Sequence, residues 1–246
     1  MKTIKSISTN IFLCGALIFG LVSCNNKAEN ESELAPIKYL ALGDSYTIGQ
    51  GVELAESWPL QLGAKLIENS FSIDKNDIIA QTGWETTDLL NAIADSSLED
   101  YNLVSLLVGV NNQFSNRPFE TYTTEFDLLL DQAIELAGTD RVFVVSIPDY
   151  GVTPFGSNNS ENIAFELDEY NAYAAAKCQA LNIPFIDITE ISRQLGDSNG
   201  ALASDNLHPS GKQYGSWVEE MLPIVLNLLE EKRVIFVPSK KKSLHY

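Results

Sequence analysis

Five short apolar runs, separated by segments of helical period, constrain this chain more than any other feature of its sequence. The runs are Tyr39 to Leu42, Asp77 to Ala80, Leu103 to Val108, Val142 to Ile147 and Pro184 to Ile188. Apolar residues then recur at helical spacing over Trp58 to Ile67, Thr87 to Ser97, Thr121 to Ala137, Ile163 to Leu181 and Ser210 to Glu230, the period of a helix buried on one face. Ser57 is the expected N-cap of the first of these, with Pro59 accommodated in its first turn. Strand, helix and strand in succession form right-handed units and a parallel sheet covered on both faces. An unbroken apolar run such as Leu103 to Val108 suits the centre of such a sheet. The expected fold class is therefore α/β. With 246 residues, 45% of them hydrophobic, the chain can bury one sizeable core. It shows no internal repeat and no second domain boundary.

Open parallel sheets bind ligands beyond the carboxyl ends of their strands, so function is read from the segments that follow the strands. Gly43-Asp44-Ser45 follows the first and turns sharply, leaving the Ser45 hydroxyl at the start of a helix beside free backbone N–H groups. Gln81 to Thr87 follows the second and contains Gly83. Gly109-Val110-Asn111-Asn112 follows the third, Pro148 to Pro154 the fourth, and Ser204 to Ser210 lies between the fifth strand and the last helix. Serine hydrolysis needs a nucleophile, a base, a group that orients the base, and donors for the oxyanion. The chain offers one candidate for each role. Ser45 is the nucleophile. His208 is the one histidine outside the last residues of the chain, and Asp205 stands three residues before it. Gly83 can present an unencumbered backbone N–H, and Asn111 a side-chain amide. Asp44 reads as a structural turn residue. Trp84, Tyr150 and Phe155 are candidates either for an acyl pocket or for ordinary packing.

Composition narrows the alternatives. A formal net charge of −17 argues against a nucleic-acid partner, and neither GxxxxGKS nor GxGxxG occurs. Two histidines, His208 and His245, and three scattered cysteines exclude a dense His/Cys metal site. No metal and no cofactor is expected. Cys178, set among Ala174, Ala175, Ala176 and Ala180, reads as a small buried helix residue. The Glu219-Glu220 and Glu230-Glu231 pairs read as solvated helix faces.

The first residues have the pattern of a targeting segment: Lys2 and Lys5, then the apolar stretch Ile11 to Val22, then Leu21-Val22-Ser23-Cys24. This ending resembles the lipobox of bacterial lipoproteins, which implies cleavage before Cys24 and lipidation of that cysteine. Residues 1–23 are then a signal peptide, and residues 24–36, polar and acidic, a flexible tether. Residues 37–231 form the folded domain and 232–246 a basic tail with Lys240, Lys241 and Lys242 adjacent. The expected location is the bacterial cell envelope, anchored through lipid. Asn25 after Cys24 leans toward the outer membrane.

Four blocks, Gly43-Asp44-Ser45, the Gly83 loop, Gly109-Val110-Asn111-Asn112 and Asp205-Asn206-Leu207-His208, stand in the order serine, glycine, asparagine, histidine. In this the chain resembles the SGNH hydrolases, the GDSL-type esterases and lipases, from about Lys38 to Leu229. The resemblance implies a three-layer α/β/α sandwich with a flavodoxin-like five-stranded parallel sheet. It implies Ser45 as nucleophile, His208 as base, Asp205 as its partner, and an oxyanion hole from the Ser45 and Gly83 N–H groups and the Asn111 side chain. The implied substrate is a small-molecule acyl ester, with lipids and acetylated glycans both open. A non-catalytic binding lipoprotein, an acyltransferase and a thioesterase are the competing readings. Two positions depart from the family pattern. Tyr46 replaces the usual leucine and is expected to stay clear of the chemistry. Asn112 stands where many members carry an aspartate, usually a structural loop residue, and this leaves the loop geometry open.

Overall fold

The structure, a computed structural model, describes residues 35–230. The expected signal peptide at 1–23, Cys24, nearly all of the 24–36 tether, Glu231 and the 232–246 tail lie outside the described residues. Five parallel strands, β1 (Ile37–Gly43), β2 (Ile73–Ala80), β3 (Leu103–Leu107), β4 (Val142–Val145) and β5 (Phe185–Ile186), form one sheet in the order β2-β1-β3-β4-β5. The α-helices are α1 (Ser45–Ile48), α2 (Trp58–Glu68), α3 (Thr86–Ala94), α4 (Val110–Phe114), α5 (Phe119–Ala137), α6 (Ser160–Leu181), α7 (Thr189–Leu195) and α8 (Gly211–Glu230). The chain steps from β1 outward to β2, then returns past β1 to β3 and continues in that direction. Right-handed crossovers put connections that run in opposite directions on opposite faces of the sheet. Accordingly α2 packs against α8, while α3, α5 and α6 pack on one another in turn. The result is the expected three-layer sandwich.

Burial follows strand position. Tyr39, Leu40, Ala41 and Leu42 of β1 are fully buried, and every residue of β3 and β4 is buried. Two apolar layers sandwich these strands, so continuous hydrophobic runs are what the centre requires. The edges obey a different rule. β2 begins four residues before the expected Asp77, because an edge strand needs no apolar run to pair. Its Asp74 and Asp77 are exposed, and charges there discourage pairing with a second chain. At the other edge β5 shrinks to two residues, and the following α7 was not anticipated from the sequence. That helix buries only Thr189 and Ser192, so it carries no apolar stripe for a periodicity reading to find.

Local chemistry refines several helix starts. Ser57 occupies the N-cap position of α2, but its hydroxyl donates to the Leu54 carbonyl at 2.7 Å instead of accepting from the helix. α3 starts one residue earlier than expected, with Glu85 and Asp88 forming a reciprocal capping box. Cys178 is fully buried on α6, and burial pushes its thiol up to about 12. Among the described residues no helix is long and apolar enough to cross a membrane.

Candidate active site

The strand order reverses between β1 and β3, and the crevice at such a switch point is where an open α/β sheet binds ligands. Ser45 follows β1 and Asn111 follows β3. Both line one cavity of about 160 Å³ at the carboxyl ends of the strands, together with Gly83, His208, Tyr46, Thr82, Val110, Phe114, Tyr150, Phe155 and Leu207. Five segments separated by much of the chain thus converge on one opening.

Ser45 is the first residue of α1. The turn ahead of it is held by Asp44, whose Oδ1 accepts the Tyr46 N–H at 3.0 Å. This matches the structural role read from the sequence. Asp44 is fully buried, and its Oδ2 lacks a hydrogen-bond partner of good geometry. Desolvation pushes its carboxyl pKa up to about 7, against the pull of the Tyr46 and Gly109 N–H groups.

His208 and Asp205 share one tight loop. Asp205 Oδ2 lies 2.7 Å from His208 Nδ1, while Oδ1 accepts the N–H groups of Leu207 and His208, both at 3.0 Å. The loop is closed by an antiparallel bridge between Leu202 and Pro209. Partial burial pushes the Asp205 carboxyl upward, but the hydrogen bonds from the His208 ring and from the two backbone N–H groups outweigh it and hold the group below the usual aspartate range. His208 is only 8% exposed. A carboxylate on Nδ1 leaves Nε2 as the ring atom available to the cavity.

Asn111 lies on α4 rather than in an open loop, and its amide nitrogen donates one hydrogen bond to the Trp84 carbonyl at 2.9 Å. That bond ties the asparagine segment to the glycine segment. Gly83 has φ +85°, and a side chain there would meet nothing. The glycine is therefore a conformational need and not a steric one. Asn112 supplies the second tie. Its Oδ1 accepts the Thr86 N–H at 3.0 Å, and its Nδ2 donates to Thr86 Oγ1 at 2.6 Å. The Thr86 hydroxyl spends its own proton on Glu125, and Thr87 donates to the same carboxylate at 2.7 Å. One hydroxyl has one proton to give. With Glu125 taking it, the neighbour at 112 must be a donor, so asparagine fits this loop where an aspartate would compete.

One expectation needs correction, and one open choice is decided. Tyr46 does not stay clear of the site: it is 3% exposed, lines the cavity, and its ring centroid is 5.5 Å from that of His208. Trp84 does not line the cavity; it is partly buried against the core. Tyr150 and Phe155 do line it, joined by Phe114, which the sequence reading missed. Phe114 sits one helical turn after Asn111, and that spacing was the available signal. Its ring is 6.2 Å from Tyr150 and 5.8 Å from Phe155. The Tyr150 hydroxyl donates to Gln113 at 2.8 Å, and Gln113 donates onward to Glu166 at 2.6 Å, which fixes this wall from behind. Among the described residues no three His, Cys, Asp or Glu side chains gather as a metal site would require.

Comparison with known proteins identifies the family and the fold. A family profile for the GDSL-like lipase/acylhydrolases matches residues 41–215. A search of curated proteins finds no match. Among solved structures, a family 3 carbohydrate esterase of Clostridium thermocellum superposes with a TM-score of 0.64 and 20% identity, over 81% of this chain and 100% of its own. An extracellular lipase of Streptomyces rimosus does so at 0.61 with 20% identity, over 78% and 98%. An acetyl xylan esterase of Geobacillus stearothermophilus does so at 0.62 with 16% identity, over 78% and 96%. At these identities the likeness speaks for a shared fold. With the family profile covering most of the chain, the protein belongs to the GDSL-like lipase/acylhydrolase family and is a hydrolase of that type.

Proposed function

We propose that the protein is a serine ester hydrolase working through Ser45, His208 and Asp205 with an acyl-enzyme intermediate. Ser45 Oγ attacks the ester carbonyl carbon as His208 Nε2 takes the hydroxyl proton. Asp205 holds the imidazole by Nδ1 and stabilises the imidazolium that forms. The oxyanion takes hydrogen bonds from the Ser45 N–H, the Gly83 N–H and the second N–H of the Asn111 amide. The C–O bond to the alcohol then breaks, and the leaving oxygen collects the proton from His208. Water repeats the sequence, losing a proton to His208 and releasing the carboxylic acid and free Ser45. The single observation that carries this reading is the 2.7 Å contact of Asp205 with His208 Nδ1, at a histidine that lines one cavity with Ser45, Gly83 and Asn111.

The cavity also supports a substrate class. Its wall is apolar and aromatic, and Phe114 and Phe155 remain 52% and 55% exposed beside it, an unusual cost for two large rings unless they meet a ligand. About 160 Å³ exceeds by roughly tenfold the ~10–15 Å³ that one water needs, so an acyl chain of several carbons fits better than acetyl. The lipid anchor at Cys24 and the envelope location rest on the sequence alone and are part of the same proposal.

Purified protein assayed on p-nitrophenyl esters from acetyl to octanoyl tests the reading. Activity should rise beyond acetyl and vanish in Ser45→Ala and His208→Ala, and a fluorophosphonate probe should label wild type but not Ser45→Ala. Full activity in either variant overturns the mechanism, and absence of labelling in wild type favours a binding protein. Metabolic labelling with a fatty-acid analogue, lost in Cys24→Ser, tests the anchor.

A further inference from the structure

We propose that Gln50 and Gly51, in the turn that ends α1, are positioning residues that set the oxyanion loop and the Asp205 carboxylate relative to Ser45. The inference rests on the triad and oxyanion roles proposed above. The turn starts on the nucleophile itself: the N–H groups of Gly49 and Gln50 both donate to the Ser45 carbonyl, at 3.2 and 3.0 Å. From there it reaches two other segments of the site. Gln50 Oε1 accepts the Thr82 hydroxyl at 2.6 Å. Thr82 precedes Gly83, and Gln81, Thr82 and Gly83 are all exposed, so this bond ties the tip of the oxyanion loop back to the nucleophile turn. Gly51 faces the other way. It has φ +87°, and a Cβ there would lie 2.8 Å from the Ala203 Cβ and 3.3 Å from Asp205 Oδ2. That oxygen is the one that meets His208 Nδ1.

Two consequences follow from the geometry. The bare Gly51 backbone forms a wall against the oxygen that orients His208, and any side chain at 51 must push the 203–205 segment or strain its own backbone. Gln50 acts on the other half of the site: Asn111 holds the Trp84 side of the exposed Gly83, and the Gln50 bond holds its Thr82 side. Displacements well under 1 Å in such groups are enough to cost rate. The turn thus couples nucleophile, oxyanion donor and base-orienting acid through a few residues that touch neither substrate nor proton.

The test is a kinetic cycle on Gln50→Ala, Thr82→Val and the double variant with p-nitrophenyl butyrate, run beside Ser45→Ala. Gln50 and Thr82 are exposed, so these variants retain the fold. Each single change should lower kcat by about threefold to tenfold, or about 0.6–1.4 kcal/mol at ~1.36 kcal/mol per decade, with KM nearly unchanged. The double variant should be no slower than the worse single, and Gln50→Glu, which keeps an acceptor for Thr82, should restore most of kcat. Gly51→Ala should alter the downfield Nδ1 proton resonance of His208 in the NMR spectrum, whereas Gln50→Ala should leave it in place. Unchanged kcat in Gln50→Ala, strictly additive losses, or an unmoved resonance in folded Gly51→Ala overturns the inference. An active Ser45→Ala would instead overturn the underlying mechanism, so the two failures are distinguishable.

Discussion

Asp205→Asn separates a triad from a mere hydrogen-bonded loop. Asp205 uses its oxygens for different purposes: Oδ1 caps the N–H groups of Leu207 and His208, and Oδ2 meets His208 Nδ1 at 2.7 Å. Asparagine can keep the first set, since its carbonyl oxygen accepts as well. The atom then facing Nδ1 is an amide nitrogen, which donates. The ring must answer by accepting at Nδ1, and that places its proton on Nε2. A protonated Nε2 cannot take the proton of Ser45. For a deeply buried aspartate this wrong tautomer costs about 10⁴ in kcat. The Asp205 side chain is 36% exposed, so water competes for the ring and the expected loss here is about 10²–10⁴. Asp205→Ala forfeits the caps but lets water accept from Nδ1–H, and its loss should be smaller, roughly 10–10²-fold. Initial rates on p-nitrophenyl butyrate, with melting temperatures measured alongside, decide the matter. An Asn variant within about tenfold of wild type, or an Ala variant slower than the Asn variant, would refute the tautomer reasoning.

Three further predictions concern other parts of the site. Asn111→Ala should lower kcat by about 10²–10³ with little change in KM, as expected for a donor used mainly in the transition state; a KM effect alone would remove it from the oxyanion hole. Asn112→Asp should destabilise the fold by about 1–3 kcal/mol in urea titrations near neutral pH, because the single Thr86 proton cannot serve two carboxylates; unchanged stability would contradict the donor assignment. Asp44 binds its proton more tightly in the folded state, up to about 7, so its contribution is fully present below the ordinary aspartate range of about pH 3.9 and is lost as pH rises through about 7. Wild type should therefore lose melting temperature against Asp44→Asn over that window, and parallel curves would show that Asp44 is not the group responsible. Asp205 has the opposite sign: held low, it stabilises above the ordinary range and ceases to do so only as pH falls through its depressed value.

The sheet centre was legible because burial on both faces forces continuous apolar sequence, as in Leu103 to Leu107. The first half of β2 was not, because an edge strand at Ile73 to Asn76 is held by backbone bonds that any residue can make. The nucleophile, base, acid and amide candidates were legible because each lies just past a strand or just before the last helix, where an α/β chain must expose its loops. Phe114 and Tyr46 were not, since both look like packing residues until the α4 turn and the His208 loop are placed beside them. Asn112 read as a departure from its family, and only Glu125, on a distant helix, explains it.

The sequence alone therefore determines the central strands and the apolar-striped helices, their parallel arrangement and the candidate residue types of the site, because hydrophobic period and strand-end position are local properties of a chain. Tertiary structure decides which of those residues meet. The reversal of strand order between β1 and β3 brings Ser45 and Asn111 to one crevice, and the loop after Leu202 turns His208 so that Asp205 holds one ring nitrogen and the other is left for the cavity. Those relations depend on side chains separated by up to most of the chain, and no local spacing encodes the distance between them.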